Sequence, residues 1–91
     1  MGVIMLFVVL AKMRGSVDEE FSKKSEEFMK HPPAGIKIHQ VLNTLGRYDM
    51  VILYEAPSEK EAMMAGMMFS DKAATETLVA IPQEEAKKLR R

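Results

Sequence analysis

The spacing of apolar and polar residues changes along the chain from continuous, to helical, to alternating, and each change marks an element. Val3, Ile4, Met5, Leu6, Phe7, Val8, Val9 and Leu10 form an unbroken apolar run rich in β-branched side chains. A strand sends successive side chains to opposite faces, so a strand apolar at every position needs cover on both sides. Ser16-Val17-Asp18-Glu19 has the form of a capping box and predicts a helix over 17–30, with Val17, Phe21 and Phe28 inward and Met29 beside them. His31-Pro32-Pro33-Ala34-Gly35 ends that helix, because consecutive prolines cannot continue it. Residues 36–45 alternate, with Ile36, Ile38 and Leu42 on one side and Lys37, His39, Val41 and Asn43 on the other. A tight turn at Gly46-Arg47 joins them to a second apolar, β-rich segment at 50–56. Pro57 stops that strand, and Ser58-Glu59-Lys60-Glu61 is a second capping box, opening a helix that reaches residue 69 or 70. Residues 74–81 read as a last strand with Thr75, Thr77, Val79 and Ile81 on one face. Pro82-Gln83-Glu84-Glu85 opens a short C-terminal helix.

The order β-α-β-β-α-β predicts an α+β domain of ferredoxin-like type, a four-stranded antiparallel sheet with two helices on one face. The first and third strands, the most apolar, belong in its middle. Helices on one side leave the other apolar face bare, more than a soluble monomer ordinarily exposes. A second copy packed face to face about a twofold axis covers it most simply, so the expectation is a homodimer with a barrel-like core. Higher oligomers through edge strands are a further possibility.

Composition narrows the function more than it defines it. The 91 residues suit one domain over 1–91; 47% are apolar and 29% charged, an ordinary globular balance. A chain this short buries only about 60–65% of its unfolded surface, so a partner subunit would help a thin core. Thirteen basic residues balance thirteen acidic ones, which argues against a nucleic-acid partner, since phosphate neutralisation needs a basic surplus. The one basic cluster, Lys87, Lys88, Arg90 and Arg91, suits the end of a helix. With no cysteine, thiolate nucleophiles, disulfides and cysteine-ligated metals are excluded, and a reducing cytoplasm is the expected location. The N-terminal apolar run lacks a basic lead-in and is too short to span a bilayer, so neither export nor membrane insertion is expected. Isolated glycines make no phosphate loop, and no serine sits in a nucleophile elbow. No cofactor is implied.

Leu45-Gly46-Arg47-Tyr48-Asp49-Met50-Val51-Ile52-Leu53-Tyr54-Glu55-Ala56-Pro57 resembles the hairpin of the GYD-domain family, named for its Gly, Tyr and Asp. Thr75-Glu76-Thr77-Leu78 is similar to that family's threonine-containing final strand, so the resemblance covers nearly the whole chain. The two prolines between residues 31 and 38 depart from it. The resemblance implies a dimeric α/β barrel with no established activity. Its superfamily holds cofactor-independent monooxygenases, lactone isomerases and haem enzymes, and is similar to the effector-binding domains of feast/famine regulators. Fold kinship does not choose among them.

The candidate site follows from the hairpin register. A two-residue loop at Gly46-Arg47 sets His39 opposite Tyr54 and Asn43 opposite Met50, so that Lys37, His39, Asn43 and Tyr54 share a face. If that face lines a cavity, these residues bind a small molecule, and His39 is a candidate general acid or base with Tyr54 or Asn43 orienting a carbonyl. If it is an outer rim, the same residues are solvated and blunt edge pairing. A register slip of one residue inverts the assignment. Tyr48 and Asp49 are either a ligand-binding pair or a structural one, with Asp49 accepting amides of the turn. His39, Glu55 and Asp49 lack a metal-site spacing, and the methionines at 63, 64, 67 and 68 suit packing better than soft-metal binding.

Overall fold

The structure is a computed structural model that describes residues 4–33 and 35–89. Val3, Ala34, Arg90 and Arg91 lie outside the described residues. The elements are β1 (Met5–Met13), α1 (Glu19–Lys30), β2 (Lys37–Asn43), β3 (Met50–Ala56), α2 (Glu59–Met68), β4 (Ala73–Ala80) and α3 (Gln83–Lys87). The strands form one sheet in the order β2-β3-β1-β4, antiparallel throughout, with β1 and β3 in the centre.

The central strands carry the apolar load. Phe7, Val9 and Ala11 of β1 and Tyr54 and Ala56 of β3 point to one face, where they meet Phe28 of α1 and Ala62 and Ala65 of α2. Phe7 and Tyr54 stack across the β1–β3 ladder with centroids 5.6 Å apart. Burying an aromatic of this size is worth about 1.5–3 kcal/mol, so this pair anchors the sheet beneath the helices. Phe69, just past α2, meets Phe21 and Phe28 edge-on at 6.0 and 5.4 Å and locks the two helices together. The small side chains of α2 let it lie close to the sheet.

Helix 1 starts two residues later than the sequence pattern predicts. Its cap is Asp18, whose Oδ1 accepts the Phe21 amide at 2.8 Å. Aspartate caps as well as serine, and the other Asp18 carboxylate oxygen takes the Lys72 ammonium at 3.0 Å, an attraction that Ser16 would lack. Val17 is left outside the helix and exposed. The second capping box stands where expected: Ser58 Oγ accepts the Lys60 amide at 3.2 Å and donates to the Glu61 carboxylate.

The loop after α1 contains a position that admits only glycine. Gly35 has φ +85°, and a Cβ there would lie 2.6 Å from Pro57 Cγ. The two proline-containing turns therefore meet face to face at one missing side chain, which fixes how β2 enters the sheet.

The Asp18 carboxylate lies below its ordinary value of 3.8, first because of the Phe21 amide and then because of Lys72. A lowered folded value stabilises the protein above the unfolded value and is lost as pH falls through the folded one. Asp18→Asn keeps a good cap but cannot titrate. Denaturant unfolding should show a smaller loss of stability on acidification below pH 3.8 in this variant than in the wild type.

Candidate functional site

The two faces of the sheet differ in what covers them. Three rows cross the open face from β2 to β4: Lys37, Glu55, Leu6 and Ala80; Gln40, Leu53, Val8 and Leu78; and Leu42, Val51, Leu10 and Glu76. Leu6, Val8, Leu10, Val51 and Leu53 are screened only in part, by their strand neighbours, and Leu42 and Leu78 are exposed. No described helix packs into this apolar centre; α1 and α2 contribute to the core on the other side. Polar groups ring it: Lys37, His39 and Glu55 at one end, Tyr48 and Glu76 at the other.

A β-bulge decides which residues reach this face. From the turn to Gln40↔Leu53 the β2–β3 register is the one the hairpin predicts, including Asn43↔Met50; beyond it Ile38, not His39, stands opposite Tyr54. His39 is the extra residue. The bulge returns Ile38 to the helix side, where it packs on the core with Ile36. Burying an isoleucine rather than an imidazole is the gain that offsets one irregular ladder bond. His39 is thereby turned toward the open face, where its Nε2 is hydrogen-bonded to Glu55 Oε2. The side chains stay about a third exposed, 33% and 28%. No group of three or more His, Asp or Glu that could hold a metal ion occurs among the described residues.

The proposed set therefore divides. Lys37 and His39 lie on the open face, Asn43 shares the helix side with Tyr54, and only Tyr54 is buried. The expected His39–Tyr54 neighbourhood is replaced by His39–Glu55. A signal for this was present in the sequence, since the apolar residues Ile36, Ile38 and Val41 are spaced two and then three apart, a step that an unbroken strand does not make while keeping them on one face.

Tyr48 and Asp49 act as ties. Asp49 Oδ2 accepts the Met13 amide at 2.7 Å, and its own amide donates to the Ala11 carbonyl at 2.8 Å. The amide it serves thus belongs to β1, not to its own turn; inside the turn the Thr44 hydroxyl donates to the Tyr48 carbonyl at 2.7 Å. Tyr48 reaches across to β4 and donates to Glu76 Oε1 at 2.9 Å, and that carboxylate raises its hydroxyl above the usual tyrosine range. Gly46 supplies φ +108° at the hairpin tip. The three signature residues so join four strands at one end of the sheet.

Beneath the helices lies a second feature, a partly open cavity of about 100 Å³ whose walls include Val9, Phe28, Ile52, Tyr54, Ala65 and Phe69. The Tyr54 side chain is 2% exposed, and its hydroxyl has no hydrogen-bond partner. Burial raises its pKa, which keeps it protonated.

The fold and its surfaces define a small α+β domain with one dry helix-covered face, one bare apolar face, and a hairpin tied by glycine, tyrosine and aspartate. The chain belongs to the GYD-domain family, whose model matches residues 13–89. Comparison with curated proteins and with solved structures gave no match.

An orphaned buried hydroxyl costs about 1–3 kcal/mol. Tyr54→Phe should therefore raise the unfolding free energy by about 1 kcal/mol, read from chemical denaturation. A loss of similar size would mean that the hydroxyl is bonded in the free protein.

Proposed function

We propose that this domain works as a homodimeric binding module, in which two copies with ferredoxin-like topology pack open sheet on open sheet to form an α/β barrel. The observation that carries this reading is the uncovered centre formed by Leu6, Val8, Leu10, Leu42, Val51, Leu53 and Leu78. Four strands about 4.8 Å apart and seven residues long at about 3.3 Å each span about 440 Å² per copy. Two such faces approach the ~1,000 Å² of a specific interface before side-chain relief is counted. An apolar centre with a polar rim is also the anatomy of such interfaces. The rim groups Lys37, His39 and Glu55 would sit beside the joined sheets and offer hydrogen bonds to a small ligand held there. No helix among the described residues is long and apolar enough to cross a membrane, and a twofold partner covers the face without one.

Sedimentation velocity at micromolar concentration should give a species of twice the 10.3 kDa chain mass. Leu53→Asp, at the centre of the face, should give a monomer that keeps its far-ultraviolet circular dichroism. Should that variant unfold, Leu42→Lys with Leu78→Lys, both at exposed sites, should weaken association by at least tenfold. A wild-type monomer would overturn the proposal.

A second reading, a cofactor-independent enzyme with His39 as acid or base, is favoured by the Glu55 carboxylate that holds the imidazole, as an orienting group does in acid–base sites. It predicts turnover of some member of a panel of small phenols and carbonyl compounds, abolished in His39→Gln with association unchanged. Turnover that survives this substitution would remove His39 from the chemistry.

A further inference from the structure

The helix-side cavity is separate from the open face, on the opposite side of the sheet, and its character is set by three observations. No charged residue lines it among the described residues, and its walls are almost wholly aliphatic, aromatic or thioether. Tyr54 lines it, and the Tyr54 hydroxyl is the one buried side-chain polar atom without a partner among the described residues. Gly66 and Thr75 line both this cavity and a groove of about 430 Å³ between α2 and β4 that opens beside the exposed Met63 and Met67. Gly66 and Thr75 are thus walls that the two spaces share.

These features restrict an occupant strongly. An ion would lose its hydration with no counter-charge to replace it, a cost far beyond what apolar contact returns. A wholly apolar guest would leave the hydroxyl unbonded, at about 1–3 kcal/mol. Apolar cavities of about 150 Å³ accept benzene; this space of about 100 Å³ is smaller, so a six-membered ring fits it only as flexible wall side chains give way. Met13, Met29 and Met50 also line it, and thioether side chains adjust their shape at low cost. Tyr54 is held by its stack on Phe7, so its hydroxyl is a fixed donor.

We propose that this cavity is a binding site for a compact, uncharged, ring-sized molecule bearing one carbonyl or ether oxygen, which accepts a hydrogen bond from Tyr54. The site takes no part in the sheet-to-sheet contact, so it stands or falls independently of dimerisation.

The test uses the full chain with ¹³C-methyl methionine and cyclohexanone as the probe, with cyclohexylammonium as its charged counterpart. Cyclohexanone should shift the Met13, Met29 and Met50 methyl signals saturably and leave Met63 and Met67 in place, and cyclohexylammonium should shift none of them. Tyr54→Phe should weaken cyclohexanone binding about fivefold, the share of one neutral hydrogen bond of about 1 kcal/mol. Ala65→Leu, which fills the cavity, should abolish binding. Shifts that grow linearly, that fall on Met63 and Met67 alone, or that are unchanged in Tyr54→Phe would overturn the proposal. So would a long-lived water on the Tyr54 hydroxyl that cyclohexanone does not displace. Sedimentation of the same samples separates loss of this site from loss of the dimer.

Discussion

The structure depends on a first strand that is apolar on both faces. Phe7, Val9 and Ala11 lie buried on the face that α1 and α2 cover, while Leu6, Val8 and Leu10 on the other are only half-buried. Helices that join strands by right-handed crossovers arrive on the same side, so among the described residues neither α1 nor α2 brings a layer to the second face. Association is the physical consequence we infer: hydrophobic burial that the fold begins is completed between copies. In this view dimerisation is part of the core, and a chain of 91 residues gains through it the burial that its size denies it.

The bulge at His39 couples this constraint to the chemistry. It keeps Ile38 in the dry interior and in doing so moves the histidine to the open face, beside Glu55. The polar rim is thus a by-product of packing as much as a functional choice. The hairpin signature acts at the other end of the sheet: Asp49 clasps the β1 backbone and Tyr48 straps across to Glu76. These ties give the signature a structural cause: Gly46 permits the turn, and Asp49 and Tyr48 close the hairpin onto strands distant in sequence.

Much of the fold was legible because local patterns and tertiary demands agree. Met50–Ala56 and the Ser58 cap of α2 stand as the pattern predicts, as do the central places of β1 and β3 and the shared face of Thr75, Thr77 and Val79. What was not legible turned on single residues with competing partners. Asp18 displaced Ser16 as the cap because it also attracts Lys72 across the fold. Period-two counting put His39 beside Tyr54, whereas the burial of Ile38 inserted one residue and reversed the faces above it. The cavity and its orphaned hydroxyl left no trace in periodicity, because an empty space is a property of three elements packed together.

Solvent paramagnetic relaxation, measured on leucine and valine methyl groups with an inert soluble spin probe, tests the central claim most directly. The account predicts that Val8, Leu10 and Leu53 are as protected as the core residue Val9 at working concentration, and that their protection falls on dilution while that of Val9 persists. Full relaxation of Val8, Leu10 and Leu53 at every concentration would contradict it, for the second face of the sheet would then be in water.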